Sequence, residues 1–349
     1  MKIAVLCENS PSSPEFEAEH GLSFYVETPA RRFLFDFGAT SVFLRNAERL
    51  GVDVSTVDAA FLSHGHRDHG GGLATFLEKN RGALVYASEK ALQSYYSLRP
   101  SGEYADIGVR VAPEFNARIV RTPTDGIFTL DSETTLFSDA APDPPECRSE
   151  GNANLFERFV APENPPDCRG GDGAEIGLNS SSLAYSGDDA WATRMIQVDS
   201  AFPASDFAST DEVSQAVDSS CLTDFGVERA FFYRPDRFLH EQHLIATTET
   251  GRKILFVGCA HRGIVSAMTR ATEILGAAPD VAIGGFHLSI PSRGVPIPEA
   301  TLDAIAERLR AWPTRYFTGH CSGRVAFERI RRRLGDQIAY FSTGDRLEF

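Results

Sequence analysis

The stretch Ser63-His64-Gly65-His66-Arg67-Asp68-His69-Gly70-Gly71-Gly72 places three imidazoles and a carboxylate within six residues, directly after the apolar run Ala59-Ala60-Phe61-Leu62. Crowding so many polar donors together is unfavourable unless something binds them. Neutral imidazole nitrogen and carboxylate oxygen suit zinc, iron or manganese, and a tight loop can aim four of them inward at once. The apolar run reads as a buried strand feeding that loop, and the three glycines allow a sharp turn into a helix over Leu73 to Glu78. Three of the nine histidines of the chain fall here, a concentration that argues for chemistry over a polar surface turn.

Outside this motif, the composition fits an enzyme with its own core. The chain has 349 residues, 42% hydrophobic and 23% charged, enough for one large sandwich with an insertion or for two domains. No apolar run approaches the roughly 20 residues of a membrane span. The opening Met1-Lys2-Ile3-Ala4-Val5-Leu6-Cys7-Glu8 reads as a first strand rather than a signal peptide, so a cytoplasmic location is expected. Six cysteines are scattered without paired spacing, which favours free thiols; Cys147, Cys168 and Cys221 lie in a middle region with little sign of a second metal site. Residues 140 to 230 carry 17 Asp and Glu against five Arg, so most of the net charge of −14 is concentrated there. Such a balance disfavours broad nucleic-acid contact without excluding a small phosphorylated substrate.

Alternation and helical spacing predict strands at Ile3 to Cys7, Leu22 to Glu27, Arg32 to Asp36, Ala59 to Ser63 and Ala83 to Ala87, with helices at Val42 to Leu50, Leu73 to Glu78 and Glu89 to Tyr96. The last third repeats the theme. Strands are expected at Lys253 to Val257, Val281 to Gly284 and Arg315 to Phe317, and helices at Gly263 to Leu275 and Thr301 to Trp312. Residues 140 to 225 are rich in Pro, Gly, Ser, Asp and Asn, with short apolar clusters such as Leu155-Phe156 and Trp191. They read as part of an insertion, 140–240, that covers a pocket within a single 1–349 domain.

An HxHxDH motif at a strand end resembles the metallo-β-lactamase superfamily. Glu19-His20-Gly21-Leu22-Ser23, Leu34-Phe35-Asp36-Phe37-Gly38, Gly258-Cys259-Ala260-His261-Arg262-Gly263-Ile264, Gly284-Gly285-Phe286-His287-Leu288 and Thr318-Gly319-His320-Cys321-Ser322-Gly323 are similar to the branch of 7,8-dihydropterin-6-methyl-4-(β-D-ribofuranosyl)aminobenzene-5'-phosphate synthase-like proteins. The likeness covers residues 1 to about 90 and 240 to 349 and implies an α/β fold, a four-layer αβ/βα sandwich with metal held between its sheets.

The resemblance also implies roles. His64 and His66 would serve one cation, Asp68 and His69 a second, and His320 would join the second. No histidine occurs between His69 and His240, so the further imidazole expected at the first cation comes from His261, His240, His243 or His287. His261 leads, because the strand Ile254 to Val257 delivers it into a glycine-bounded loop. Cys259 falls where many relatives carry a bridging aspartate, and reads either as a bridging thiolate or as a small buried residue. Asp68, His261 and His287 are the expected catalytic residues. Glu19, His20, Arg262, Ser322 and Arg324 are expected near substrate, and Asp36 behind the ligands, orienting an imidazole through its other ring nitrogen or serving as a turn residue. Where the branch has Asp-Asp-Gln, this chain has His240-Glu241-Gln242-His243.

Two divalent cations, with zinc expected and iron or manganese also compatible, would ionise water and stabilise a developing oxyanion. Hydrolysis of a small phosphorylated or phosphodiester substrate is the leading expectation, with Arg262 or Arg324 neutralising charge and the helix near Gly263 adding amide donors. A metal-dependent transferase of the synthase type stays open, as do iron redox chemistry and a metal-binding sensor without turnover.

Overall fold

Two seven-stranded sheets face each other in the computed structural model, which describes residues 1–98, 103–139, 195–198, 202–203, 229–230, 233–290 and 295–349. The first contains β1 (Lys2–Cys7), β2 (Ser23–Glu27), β3 (Arg32–Phe35), β4 (Ala59–Leu62), β5 (Leu84–Ser88), β6 (Ile119–Thr122) and β14 (Arg346–Glu348), in the order β14-β1-β2-β3-β4-β5-β6. The second contains β7 (Ile127–Thr129), β8 (Thr134–Phe137), β9 (His243–Thr247), β10 (Lys253–Val257), β11 (Val281–Gly285), β12 (Arg315–Gly319) and β13 (Ile338–Tyr340), in the order β13-β12-β11-β10-β9-β8-β7. In each, antiparallel pairing gives way to parallel pairing, from β3 onward in the first and from β10 onward in the second.

Period-two alternation produces the layers. Along β4, Ala59 and Phe61 face the second sheet while Ala60 and Leu62 face helices α1 (Val42–Arg49) and α3 (Leu73–Lys79). Along β10, Ile254 and Phe256 face the first sheet while Leu255 and Val257 pack under α4 (Ile264–Leu275), α5 (Glu299–Arg310) and α6 (Arg324–Leu334). Strands buried on both faces therefore read as unbroken apolar runs. Phe256 locks the sheets together, its ring centroid 5.7 to 6.3 Å from those of Phe24, Phe33 and Phe35. Full burial of one such ring stabilises by about 1.5–3 kcal/mol.

The parallel strands deliver their carboxyl ends to one edge, the usual place for a site in an α/β sheet. Backbone strain is concentrated there. All five non-glycine residues with positive φ among the described residues, Asp36, Phe238, Ala260, His287 and His320, belong to the loops at this edge. Each such conformation costs of order 1–3 kcal/mol and persists only where its surroundings enforce it.

One predicted helix is absent. Glu89 to Ser94 form turns, and Tyr95–Leu98 is a strand that pairs with Tyr104–Asp106 and Met195–Val198. Tertiary packing overrides local spacing: Tyr95 is buried against His240, with ring centroids 4.1 Å apart. The short helix α2 (Arg67–Gly70), not anticipated, runs through the histidine motif itself. Cys147, Cys168, Cys221, Leu155, Phe156 and Trp191 lie outside the described residues. No described helix is long and apolar enough to cross a membrane.

Candidate metal centre

The end of β4 is pinned by Asp36. Its buried carboxylate accepts the Ser63 N–H and hydroxyl, each at 2.7 Å, and contacts His69 Nδ1 at 2.7 Å. With Nδ1 so engaged, His69 turns Nε2 toward Cys259 Sγ and His320 Nε2, each 3.1 Å away. His320 is oriented in the same manner, with Nδ1 at 2.9 Å from Asn9 Oδ1 and its backbone N–H donated to Glu8 Oε1 at 2.7 Å. Asp68 Oδ2 closes the group, 3.2 Å from His320 Nε2 and 3.6 Å from His69 Nε2. Asp68, His69, Cys259 and His320 thus bring four donor atoms within 4.8 Å of one another.

A second group adjoins it. His64 holds Nδ1 at 2.8 Å from the Ser63 hydroxyl and points Nε2 at His261 Nε2, 3.2 Å away. Cys259 belongs to this group as well, so its sulfur lies between the two. The His66 ring stands 4.6 Å from His64 and 4.8 Å from His261 by centroid, and its buried Nε2 has no hydrogen-bond partner among the described residues. Glu241 sets the His261 loop by accepting the backbone N–H groups of His261 and Arg262 at 3.0 and 3.3 Å.

A sequence profile described as the Metallo-beta-lactamase superfamily matches residues 17–219. The 7,8-dihydropterin-6-methyl-4-(beta-D-ribofuranosyl)-aminobenzene-5'-phosphate synthase of Methanocaldococcus jannaschii is 31% identical over 361 aligned positions, covering 100% of this chain and 97% of that protein. The chain belongs to the metallo-beta-lactamase superfamily. Uncharacterized protein MJ0448 of the same organism is 31% identical over 123 residues, a match that spans 35% of this chain and 48% of that protein. Among solved structures, Tm1679, a metal-dependent hydrolase of the beta-lactamase superfamily, aligns with a TM-score of 0.64 at 22% identity, over 100% of this chain and 99% of that one, and so shares the fold.

The superfamily implies metal, and the donor set fits it. Imidazole Nε2 atoms facing one another at 3.1 and 3.2 Å, with three of the four opposite nitrogens held by Asp36, Asn9 and the Ser63 hydroxyl, leave lone pairs converging on a common space. Burial, reinforced by neighbouring imidazoles, holds His64 and His261 well below the ordinary imidazole range, and so in the neutral form a cation requires. His69 is different. Burial opposes its charge, but Asp36 and Asp68 override it and raise the imidazole to about 9. Burial likewise opposes charge on Asp68, yet His69 and His320 keep its carboxyl well below the usual carboxylate range.

Other superfamily-based expectations divide. His20 sits at the rim, its Nε2 3.3 Å from Asp68 Oδ2 and its ring stacked 4.8 Å from His320. With Asn9, His320, Cys321, Gly323 and Arg324 it lines a cavity of about 280 Å³. Arg324 stacks over Tyr340 at 3.8 Å and reaches the Ser10 and Ser342 hydroxyls. His287 lies beside His261, with ring centroids 4.3 Å apart. Glu19, Ser322 and Arg262, also expected near substrate, are engaged by neighbouring loop groups. Glu19 accepts the Ala39 and Thr40 N–H groups and the Thr40 hydroxyl; the wholly buried Ser322 hydroxyl accepts the Phe286 N–H and pairs with Thr318. Arg262 donates to the Arg237 carbonyl and lies 3.6 Å from Asp139.

Of the alternative histidines, His240 accepts the Gly65 N–H on Nδ1 at 2.9 Å and meets Asp236 through Nε2 at 3.0 Å, so both nitrogens are used. His243 faces Asp139 at 3.4 Å. Glu8, Asn9 and Asp236 carry site geometry that sequence reading missed. Ser63 opens the histidine motif and Cys321 adjoins His320, so both had a local signal.

Proposed function

We propose that this chain is a metal-dependent hydrolase that holds two divalent cations, zinc foremost, and acts on a small phosphorylated or phosphodiester substrate. The observation that carries the reading is the pair of facing imidazoles, His64 with His261 and His69 with His320, with Cys259 Sγ common to both groups. When bound, such cations supply Lewis acidity toward water and toward the oxygen on which charge develops. His20 stands at the rim with its Nε2 3.3 Å from Asp68 Oδ2, where its ring can contact a substrate group. Arg324 and the first turn of α6 border the same cavity and offer a guanidinium and amide N–H groups to a phosphate. Residues 140–240 are read as an insertion of a single domain that covers this site. Support comes from Met195–Val198 pairing with Tyr95–Ser97 and from Asp236 and His240 packing against the histidine cluster.

Reconstituting the full chain with zinc and measuring metal by elemental analysis, beside release of nitrophenol from a nitrophenyl phosphodiester, tests the reading. About two cations per chain and slow hydrolysis are expected. Less than one cation per chain overturns it.

A transferase reading is favoured by one observation, the full-length match at 31% identity to a protein named as a synthase. Including an aromatic amine as acceptor separates the two: transfer gives an adduct, hydrolysis only the water product.

A further inference from the structure

Cys259 sits in the loop after β10 and Cys321 in the turn after β12, two strands apart with β11 between them. They nevertheless meet, because β11 ends in Gly285. A Cβ at Gly285 would lie 2.5 Å from Cys321 Sγ and 3.5 Å from Cys259 Cα, so the missing side chain is the space that the Cys321 thiol fills. Three contacts hold it there. The His287 N–H donates to Cys321 Sγ at 3.3 Å, Cys321 Sγ reaches the Cys259 carbonyl at 3.7 Å, and the two sulfurs lie within 4.8 Å of each other. Both residues are buried, yet Cys321 also lines the cavity of about 280 Å³ beside His320, which gives a small molecule a way in.

Cys259 Sγ is at the same time 3.1 Å from His69 Nε2, inside the group formed with Asp68 and His320. We propose that a hydroperoxide entering this cavity converts Cys259 and Cys321 to a reversible disulfide that withdraws Cys259 from the metal centre. The thiol of Cys321 attacks the peroxide O–O bond, taking one oxygen to become a sulfenic acid while the alcohol or water leaves. The sulfur of Cys259 then attacks that sulfur, the S–O bond breaks and the S–S bond forms, the departing oxygen leaving as water with the proton of a Cys259 thiol or as hydroxide when Cys259 is a thiolate. Two thiols are oxidised and one peroxide is reduced. A disulfide sulfur, no longer a thiolate, is a poor metal ligand, and the strand-end loops must draw together to close the bond.

The link itself is a matter of thiol geometry; only its effect on metal rests on the dinuclear reading above. The full chain, loaded with zinc, is titrated with hydrogen peroxide, alkylated under denaturing conditions and mapped by peptide mass spectrometry, with released zinc followed by a chromogenic chelator. The expected result is one cross-link joining the Cys259 and Cys321 peptides, a mass loss of two hydrogens, zinc release in step with it, and restoration by dithiothreitol. Cys321→Ser is expected to abolish the cross-link and keep its zinc under peroxide, and Cys259→Ser to leave Cys321 as sulfenic acid. Absence of the 259–321 link in the parent chain overturns the proposal, as does a dominant link through Cys7, Cys147, Cys168 or Cys221. Zinc release from Cys321→Ser equal to that of the parent overturns the switch. A chain that takes up no zinc yet forms the link counts against the dinuclear reading, not against the disulfide.

Discussion

Asp36 Oδ2 lies 2.7 Å from His69 Nδ1, and both side chains are wholly buried. The same carboxylate also fixes Ser63, whose hydroxyl contacts His64, so one side chain orients imidazoles of both donor groups. Asp36→Asn keeps the shape and tolerates the positive φ of this position, but loses the charge. Metal affinity is expected to fall about 10- to 100-fold. Competition with a fluorescent chelator measures it, and unchanged affinity would contradict the orienting role.

Loading of metal should depend on pH through His69, raised to about 9 in the metal-free chain once Asp36 and Asp68 outweigh burial. Below that pH the imidazole is protonated and a cation must displace the proton, so affinity should rise about tenfold per pH unit toward 9. The metal-free chain shows the converse. Its charged His69–Asp36 pair contributes stability fully below the unfolded imidazole value near 6.5, and that contribution is lost as pH rises through about 9. Metal titrations and denaturant unfolding between pH 6 and about 10 check both signs.

His66→Ala and Asp68→Ala should each abolish turnover while circular dichroism and the unfolding transition stay cooperative. His66 Nε2 is buried 3.9 Å from Asp236 Oδ2 without a hydrogen bond to it, and Asp236 keeps His240 at 3.0 Å when His66 is truncated, so the fold should survive. Retained turnover in either variant would refute the ligand assignment.

Gly65→Ala tests the packing behind the motif. The added Cβ would lie 2.3 Å from the Ala91 carbonyl oxygen and 2.8 Å from Tyr95 Cε2. Overpacking of this kind costs about 1–3 kcal/mol, and equilibrium denaturation should show it. Metal content should fall too if His64 and His66 hold the cation, because Gly65, between them, donates its N–H to His240.

Arg324→Gln should raise KM for a phosphorylated substrate by about tenfold or more and leave kcat little changed, as expected for a group that anchors substrate away from the cations. Steady-state kinetics decide it, and an equal fall in kcat would place Arg324 in the chemical step.

Much of the centre was legible because its residues are local in sequence. His64, His66, Asp68 and His69 share one loop and the short helix α2 that follows it, and an apolar run before them marks the strand that holds it. Both sheets were foreshadowed by runs such as Ala59–Leu62 in the first and Lys253–Val257 in the second, since strands buried on two faces need continuous apolar sequence. Edge strands and short pairings were not. Tyr95–Leu98 has a spacing that also suits a helix, and only its partners decide between them.

By itself, the chain determined which chemistry is available: imidazoles, one carboxylate and a nearby thiol at strand ends, a property of residue types and short-range spacing. Tertiary structure alone decided which nitrogen of each imidazole faces inward, because those choices hang on Asp36, Asn9 and Ser63. It also decided that His240 supports the loop where His261 faces His64, and that Cys259 meets Cys321 across Gly285. Hydrogen-bond partners such as Asn9 and His320, 311 positions apart, follow from how two sheets pack, which no local pattern encodes.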